Sequence, residues 1–287
     1  MALERNEPQT RGELDFEVQA ALRMAAELTA LRSPALDVRQ LSLWQYGTAV
    51  FRDVTLVVPS HRITSVIGPV GCGSTALVRS MNRMNEIDPQ ARTRTEGSVF
   101  FHAQNIYGPD TDPIAIRRRI GMVFDGPNPI EGDIYDNVAV GVRDHREFGS
   151  LDDTVERALR QAALWDQLKD HLHESSHTLT HGLLQRLCIA RALAVGPEIL
   201  LMDQPCRRLD AMSTYQIEEV LHNLRDEYTI VFVTGNVQQA ARISDYTAFM
   251  LADLPGAGQL VEFAPTRELF TRPADRRTEE YIEGRFG

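Results

Sequence analysis

With 287 residues, 43% of them hydrophobic and 24% charged, the chain can bury a substantial core and is too apolar to be a disordered tail. Its 30 basic and 40 acidic residues leave a formal net charge of −10, which opposes attraction to nucleic acid or anionic lipid, so no nucleic-acid partner is expected. No run of 18 apolar residues occurs and the start is acidic and polar, so a membrane span and secretion are disfavoured and a cytoplasmic location is expected. Cys72, Cys188 and Cys206 form neither an even disulfide set nor a metal pattern.

Residues 1–36 stand apart as an N-terminal extension. Leu14, Val18, Ala21, Leu22, Ala25, Leu28 and Leu31 recur near helical spacing, which predicts an amphipathic helix that either packs on its own domain or binds a partner. From residue 37 the pattern changes to short apolar runs between polar loops. Strands are predicted at 56–58, 63–68, 98–102 and 120–124, and a charged helix at 152–172. A second helix, 185–195, ends at Gly196-Pro197. The continuous apolar runs 198–203 and 228–235 read as strands buried in a parallel sheet, separated by a helix over 214–227. The charged tail from 266 reads as a surface helix. The sum is an α/β fold with a parallel core and a helical insertion near 125–180.

The strand at 63–68 runs into Gly68-Pro69-Val70-Gly71-Cys72-Gly73-Ser74-Thr75 and then into a helix. This fits the phosphate-binding loop G-x-x-x-x-G-K-[ST] at every fixed position but one, because the lysine is Ser74. Glycines let backbone N–H groups close around phosphate oxygens, and Thr75 stands where a hydroxyl would hold Mg²⁺. Lys169 is the single lysine of the chain, so no neighbouring lysine replaces the missing one.

The segments GPVGCGSTALVRSMNRMNE, GMVFDGPNP, IYDNVAVG, LCIARALAVGPEILLMDQP, RLDAMST, VTGNVQQAARISDYTAF and EYIEGRFG together resemble the ATP-binding-cassette subunit of the bacterial phosphate importer. The resemblance covers residues 37–287 in one register. It implies a P-loop ATPase fold with a parallel-sheet core, an antiparallel β subdomain and a helical subdomain at about 125–185. It also implies ATP and Mg²⁺ as cofactors, a dimer, and a membrane permease as partner at the inner face of the plasma membrane.

Against that pattern the departures fall on the chemistry. The family's lysine is Ser74, its Mg²⁺-sensing glutamine is Asp125, and its general-base glutamate is Gln204, beside the retained Mg²⁺ aspartate Asp203. Its signature L-S-G-G-Q becomes Leu179-Thr180-His181-Gly182-Leu183. Its dimer loop S-A-L-D becomes Arg207-Arg208-Leu209-Asp210, and its switch histidine is Gly235. A general base supplies roughly 10²–10⁴ in rate, and a preorganised donor on the order of 10²–10³. Losing these as a unit argues against a turnover site. In the family the loop of one subunit faces the signature of the other, so a homodimer would have two altered sites, and a heterodimer with an intact subunit would still carry His181 where backbone must approach phosphate.

The expected function is therefore a catalytically impaired, regulatory or accessory subunit of phosphate transport. The alternatives are a working ATPase subunit with compensating residues and a soluble scaffold detached from the transporter. Whether the loop still holds ATP is left open between binding without hydrolysis and a purely structural turn. Tyr46 stands where the family stacks an aromatic on adenine, although Trp44 is equally placed and either residue could serve the core. His171, His173, His177 and His181 invite a metal reading that no cysteine or carboxylate spacing supports. Arg117, Arg118 and Arg119 read as structural or surface residues.

Overall fold

The computed structural model describes residues 34–143, 150–252 and 256–286. The amphipathic helix expected over 14–31 lies outside the described residues.

One ten-stranded mixed sheet organises the fold, in the order β5-β4-β1-β2-β10-β9-β3-β8-β7-β6. Its antiparallel wing is β1 (Leu36–Gln45), β2 (Thr48–Val58), β4 (Arg94–Phe101) and β5 (Gln104–Asn105). Its parallel side is β3 (Ile63–Ile67), β6 (Ile120–Val123), β7 (Ile199–Asp203) and β8 (Thr229–Val233). The antiparallel pair β9 (Tyr246–Ala252) and β10 (Gly258–Pro265) joins the two halves.

β7 and β8 are nearly continuous apolar runs because both faces are covered, while β3 carries the buried polar pair Thr64 and Ser65. In β7, Ile199 and Leu201 enter one core while Leu200 and Met202 enter another, and in β8 Val231 and Val233 separate from Ile230 and Phe232 in the same way. The first core takes its helical cover from α1 (Ser74–Ser80), through Ala76, Leu77 and Val78 with Met81, and it also collects Phe51, Val54 and Val99 from the antiparallel wing. α1 thereby joins both kinds of sheet. The second core is covered by Ile189 and Leu193 of α6 (His181–Ala194) and by Ile217, Val220, Leu221 and Leu224 of α7 (Ala211–Leu224).

Between β6 and β7 a separate helical core is built from α3 (Ile134–Ala139), α4 (Leu151–Gln161), α5 (Trp165–Leu168) and one side of α6. α2 (Pro113–Arg119) lies ahead of β6. The helix expected over 152–172 is broken. Ala163 adopts φ +54°, the Leu164 N–H returns to the Leu159 carbonyl at 2.8 Å, and Arg186 donates to the Ala163 carbonyl at 2.9 Å. That turn buries Leu164 and Leu168 beside Val155 and Leu159, contacts that a continuous helix would not make. α6 begins earlier than the expected 185, because Thr180 caps it by accepting from the Leu183 N–H at 3.4 Å.

The tail is also more buried than expected. It forms two short helices, α9 (Thr266–Thr271) and α10 (Arg276–Ile282), rather than one surface helix. Their Leu269 and Tyr281 enter a fourth core with Ile67, Phe249 and Ala240 of α8 (Val237–Ile243). Tyr281 stacks on Phe249 with ring centroids 4.8 Å apart. Its phenol is pushed up by burial and lies near Cys72 and the backbone of Gly68, so the tail braces the strand that feeds the glycine loop. Tyr281→Ala is expected to cost about 3 kcal/mol in urea denaturation, and Tyr281→Phe less than about 1.5 kcal/mol, because the packing outweighs the hydroxyl.

Candidate functional site

Parallel neighbours end together, so the topology delivers several of the singled-out residues to one edge. The glycine loop leaves β3, Thr234 and Gly235 follow β8, Gln204 follows Asp203 at the end of β7, and Asp125 lies just beyond β6.

The loop itself is shaped by backbone contact. A Cβ on Gly68 would stand 2.2 Å from the Met250 carbonyl oxygen of β9, and one on Gly258 of β10 would stand 1.9 Å from that of Cys72. Only glycine allows these approaches. Within the loop the Cys72 N–H returns to the Pro69 carbonyl at 3.1 Å, and Cys72 is buried while Val70 is fully exposed. Gly73, at φ +87°, opens α1, where the first N–H groups have no intrahelical acceptor. Such a cradle fits phosphate oxygens.

Asp203 is the buried charge of this edge, with a side chain 2% exposed. The Thr75 hydroxyl donates to its Oδ1 at 2.7 Å, and the Arg79 guanidinium donates to its Oδ2 at 3.0 Å. Arg79 escaped the sequence reading, although its place one helical turn after Thr75 was a usable signal, since residues at that spacing share a face. Asp125 faces Arg207 at 3.8 Å, both side chains being about half exposed. The oxygens of Thr75, Asp203 and Asp125 suit Mg²⁺ in kind. Each oxygen of Asp203 already accepts one hydrogen bond, one of them from a cation, and Asp125 faces a second cation, so a divalent ion would meet positive charge at both carboxylates.

Gln204 carries φ +49°, and its N–H donates to the Val233 carbonyl at 3.1 Å. With Gly235, Arg207 and Tyr215 it lines a cavity of about 970 Å³. Along that cavity Gln239 accepts from Thr234 at 2.8 Å and donates to Glu218 at 2.9 Å, and Glu218 pairs with Arg242 at 2.8 Å. Burial pushes the neighbouring Cys206 thiol up to about 12, so it is no nucleophile near neutral pH. A Cβ at Gly235 would meet nothing within 4 Å.

Other singled-out residues stand away from this edge. Tyr46 lies in the β1–β2 turn, 68% exposed, with its hydroxyl donating to Asp88 at 3.0 Å. Trp44 beside it has the Arg94 guanidinium 4.0 Å over its ring. Both line a cavity of about 590 Å³ with Gln90 and Arg92. Leu179 and Leu183 pack on the helical core, Thr180 caps α6, and His181 is exposed at its first position. Gly182 is buried, and a Cβ there would stand 2.3 Å from the Ser213 hydroxyl of α7. Asp210 caps α7 by accepting from the N–H and hydroxyl of Ser213 at 2.9 and 2.7 Å, which holds its carboxyl below the usual range. Arg208 is exposed. His171 pairs with Glu174 and His173 with Asp133, and among the described residues no group of three or more metal-ligating side chains assembles. Arg117 holds the Arg83 carbonyl and Arg119 holds Glu198.

A glycine loop facing an acidic strand end two strands away, with a helical layer inserted ahead of that strand, defines the ATP-binding-cassette class of P-loop proteins. Residues 51–207 match the family described as ABC transporter. The chain belongs to the PstB family of ABC transporter ATP-binding proteins. It is 51% identical over 256 residues to phosphate import ATP-binding protein PstB 1 of Synechococcus sp. (strain JA-3-3Ab), covering 88% of this chain and 92% of that one. It is 49% identical to phosphate import ATP-binding protein PstB of Salinibacter ruber, covering 88% and 99%. Among solved structures, a bacterial Atm1-family ABC exporter with ATP bound superposes with a TM-score of 0.70 at 21% identity, over 88% of this chain and 42% of that one. The cbiO1 protein of Clostridium perfringens gives 0.68 at 22% identity, over 86% and 95%. These two likenesses show the fold.

Gly68→Ala is expected to prevent the loop from forming, read as a thermal midpoint lowered by several degrees, whereas Gly235→His, whose Cβ enters open space, should change stability by less than about 0.5 kcal/mol.

Proposed function

We propose that the chain is the ATP-binding subunit of a phosphate importer whose own hydrolysis is absent or very weak, and that it serves as a regulatory or accessory subunit. In this reading it lies in the cytoplasm at the inner membrane face. It forms a homodimer, or a heterodimer with an intact ATPase subunit, and contacts a permease through the helical region of about 125–185. Residues 37–287 act as one cassette and 1–36 as an extension. No helix of the described residues is long and apolar enough to cross a membrane.

The observation that carries the proposal is the identity of the side chains at one strand edge. Gln204 cannot accept a proton near neutral pH, so water attacking a terminal phosphate has no positioned base there. Ser74 brings no charge to the loop, and Gly235 brings no side chain at all. Phosphoryl transfer depends almost wholly on positioning and charge stabilisation, and these positions supply little of either. The family's nucleotide would supply the transferable phosphoryl group. What remains for this chain's residues is to hold it, with loop N–H groups around the phosphates and Tyr46, whose ring is the more open of the two aromatics, against the base.

Calorimetry with ATP, with and without Mg²⁺, followed by a turnover assay on the same sample, tests this. Binding without turnover is expected. Steady turnover abolished by Asp203→Ala would overturn the proposal in favour of a working ATPase with compensating residues. The combined variant Ser74→Lys, Gln204→Glu and Gly235→His should raise turnover at least about 10²-fold, while Gln204→Glu alone should not, since the restored groups act as a unit.

A further inference from the structure

We propose that Arg79 holds the place of a divalent cation on Asp203, so that this chain binds nucleotide without needing Mg²⁺. The inference rests on the reading that the loop binds nucleotide, and goes beyond it by naming the residue that neutralises the site.

Asp203 ends a strand buried along its whole length, and a carboxylate there must be compensated. The compensation is complete within the chain. Thr75 takes one oxygen at 2.7 Å and Arg79 takes the other at 3.0 Å. The guanidinium is a fixed cation whose planar donors suit a carboxylate. Its Nε is buried without a hydrogen-bond partner, and its carbon centre lies 5.8 Å from the Phe124 ring. A divalent ion reaching Asp203 would have to share its two oxygens with Thr75 and this guanidinium, against the repulsion of a positive charge already seated there. Mg²⁺ is a poor competitor for such a position, because it dehydrates reluctantly and demands near-octahedral oxygen geometry. The other acidic candidate, Asp125, lies opposite Arg207 rather than beside an open site.

The same pair accounts for how phosphate is admitted to a loop that lacks lysine. A bare buried carboxylate beside the loop would repel a nucleotide, and a metal normally removes that repulsion. Arg79 removes it permanently, leaving the loop N–H groups to meet the phosphates. The substitution of Ser74 for lysine is then tolerable for binding while still disabling transfer.

The test uses the full chain and the variants Arg79→Gln and Arg79→Lys, with ATP affinity measured by calorimetry in EDTA and in excess Mg²⁺. The wild type is expected to show the same Kd within about threefold in the two conditions, and Arg79→Lys should behave likewise because it keeps the charge. Arg79→Gln should become dependent on Mg²⁺ by tenfold or more. A wild-type affinity that falls tenfold or more in EDTA overturns the proposal. If the wild type binds ATP in neither condition, the nucleotide-binding reading fails, and a second arm decides the role of Arg79. In that arm Mn²⁺ is titrated by electron paramagnetic resonance into nucleotide-free protein. Tighter Mn²⁺ binding by Arg79→Gln than by wild type, lost again in Arg79→Gln/Asp203→Asn, supports the proposal, and equal binding overturns it.

Discussion

The buried carboxylate of Asp203 is the constraint around which the rest of the molecule is arranged. It closes a strand with no exposed residue, so its charge must be met from neighbouring elements rather than by water. Both partners come from α1, in the first half of the chain, across sequence separations of 128 and 124 residues. α1 can present them only if the loop before it ends in the right place. That place is set by β9 against Gly68, by Gly258 of β10 against Cys72, and by the buried Tyr281 stacked on Phe249. One side-chain cluster thus ties together the phosphate loop, the acidic strand, the antiparallel pair and the C-terminal helix.

The altered and the retained positions separate along a physical line. Gly68, Gly182 and Asp210, which the sequence resemblance sets on the family pattern, each have a local duty: two admit close neighbours where a Cβ would overlap them, and the third caps α7. Ser74 and Gly235 differ, and neither is fully buried. His181 is exposed at the start of a helix whose cap is the preceding threonine. Where a differing position does have a structural duty the residue present meets it, since Leu183 packs on the helical core and Thr180 caps α6, and a scaffold about half identical to its relatives keeps its fold.

Much of this was legible in the amino-acid order, for reasons that also explain what was not. Continuous apolar runs such as 198–203 mark strands covered on both faces, and the two faces of β7 do enter different cores. The break at Ala163 left no such mark. No glycine or proline stands there, and the left-handed turn is imposed by the gain from burying Leu164 and Leu168. The tail's charged composition hid Leu269 and Tyr281, since a short helix needs only one inward residue per turn to become part of a core. The glycine loop does form the turn between strand and helix that its motif predicts, whereas Arg79 lies outside that motif. A motif names the positions a family fixes, whereas this contact follows from helix periodicity and a buried partner.

Charge accounting at the strand edge joins these observations. Asp203 is balanced by Arg79 and Asp125 faces Arg207, so the acidic residues are met by the chain's own arginines, and Ser74 adds nothing. The two pairs are unequal. The Arg207 pair is long and solvent-exposed, worth at most about 1 kcal/mol, and gives way readily. The Arg79 pair engages a buried carboxylate, and breaking it would leave an uncompensated charge. An edge made neutral in this way can accept a polyanion through oriented backbone N–H groups. Its exposed cations, Arg207 and Arg208, follow β7 rather than stand in the glycine loop, where Ser74 brings no charge to meet the oxygens of a transferring phosphoryl group. Holding a nucleotide and cleaving it place different electrostatic demands on the same loop, and under the proposed function the side chains at this edge serve the first demand without the second, which is the separation that a regulatory subunit requires.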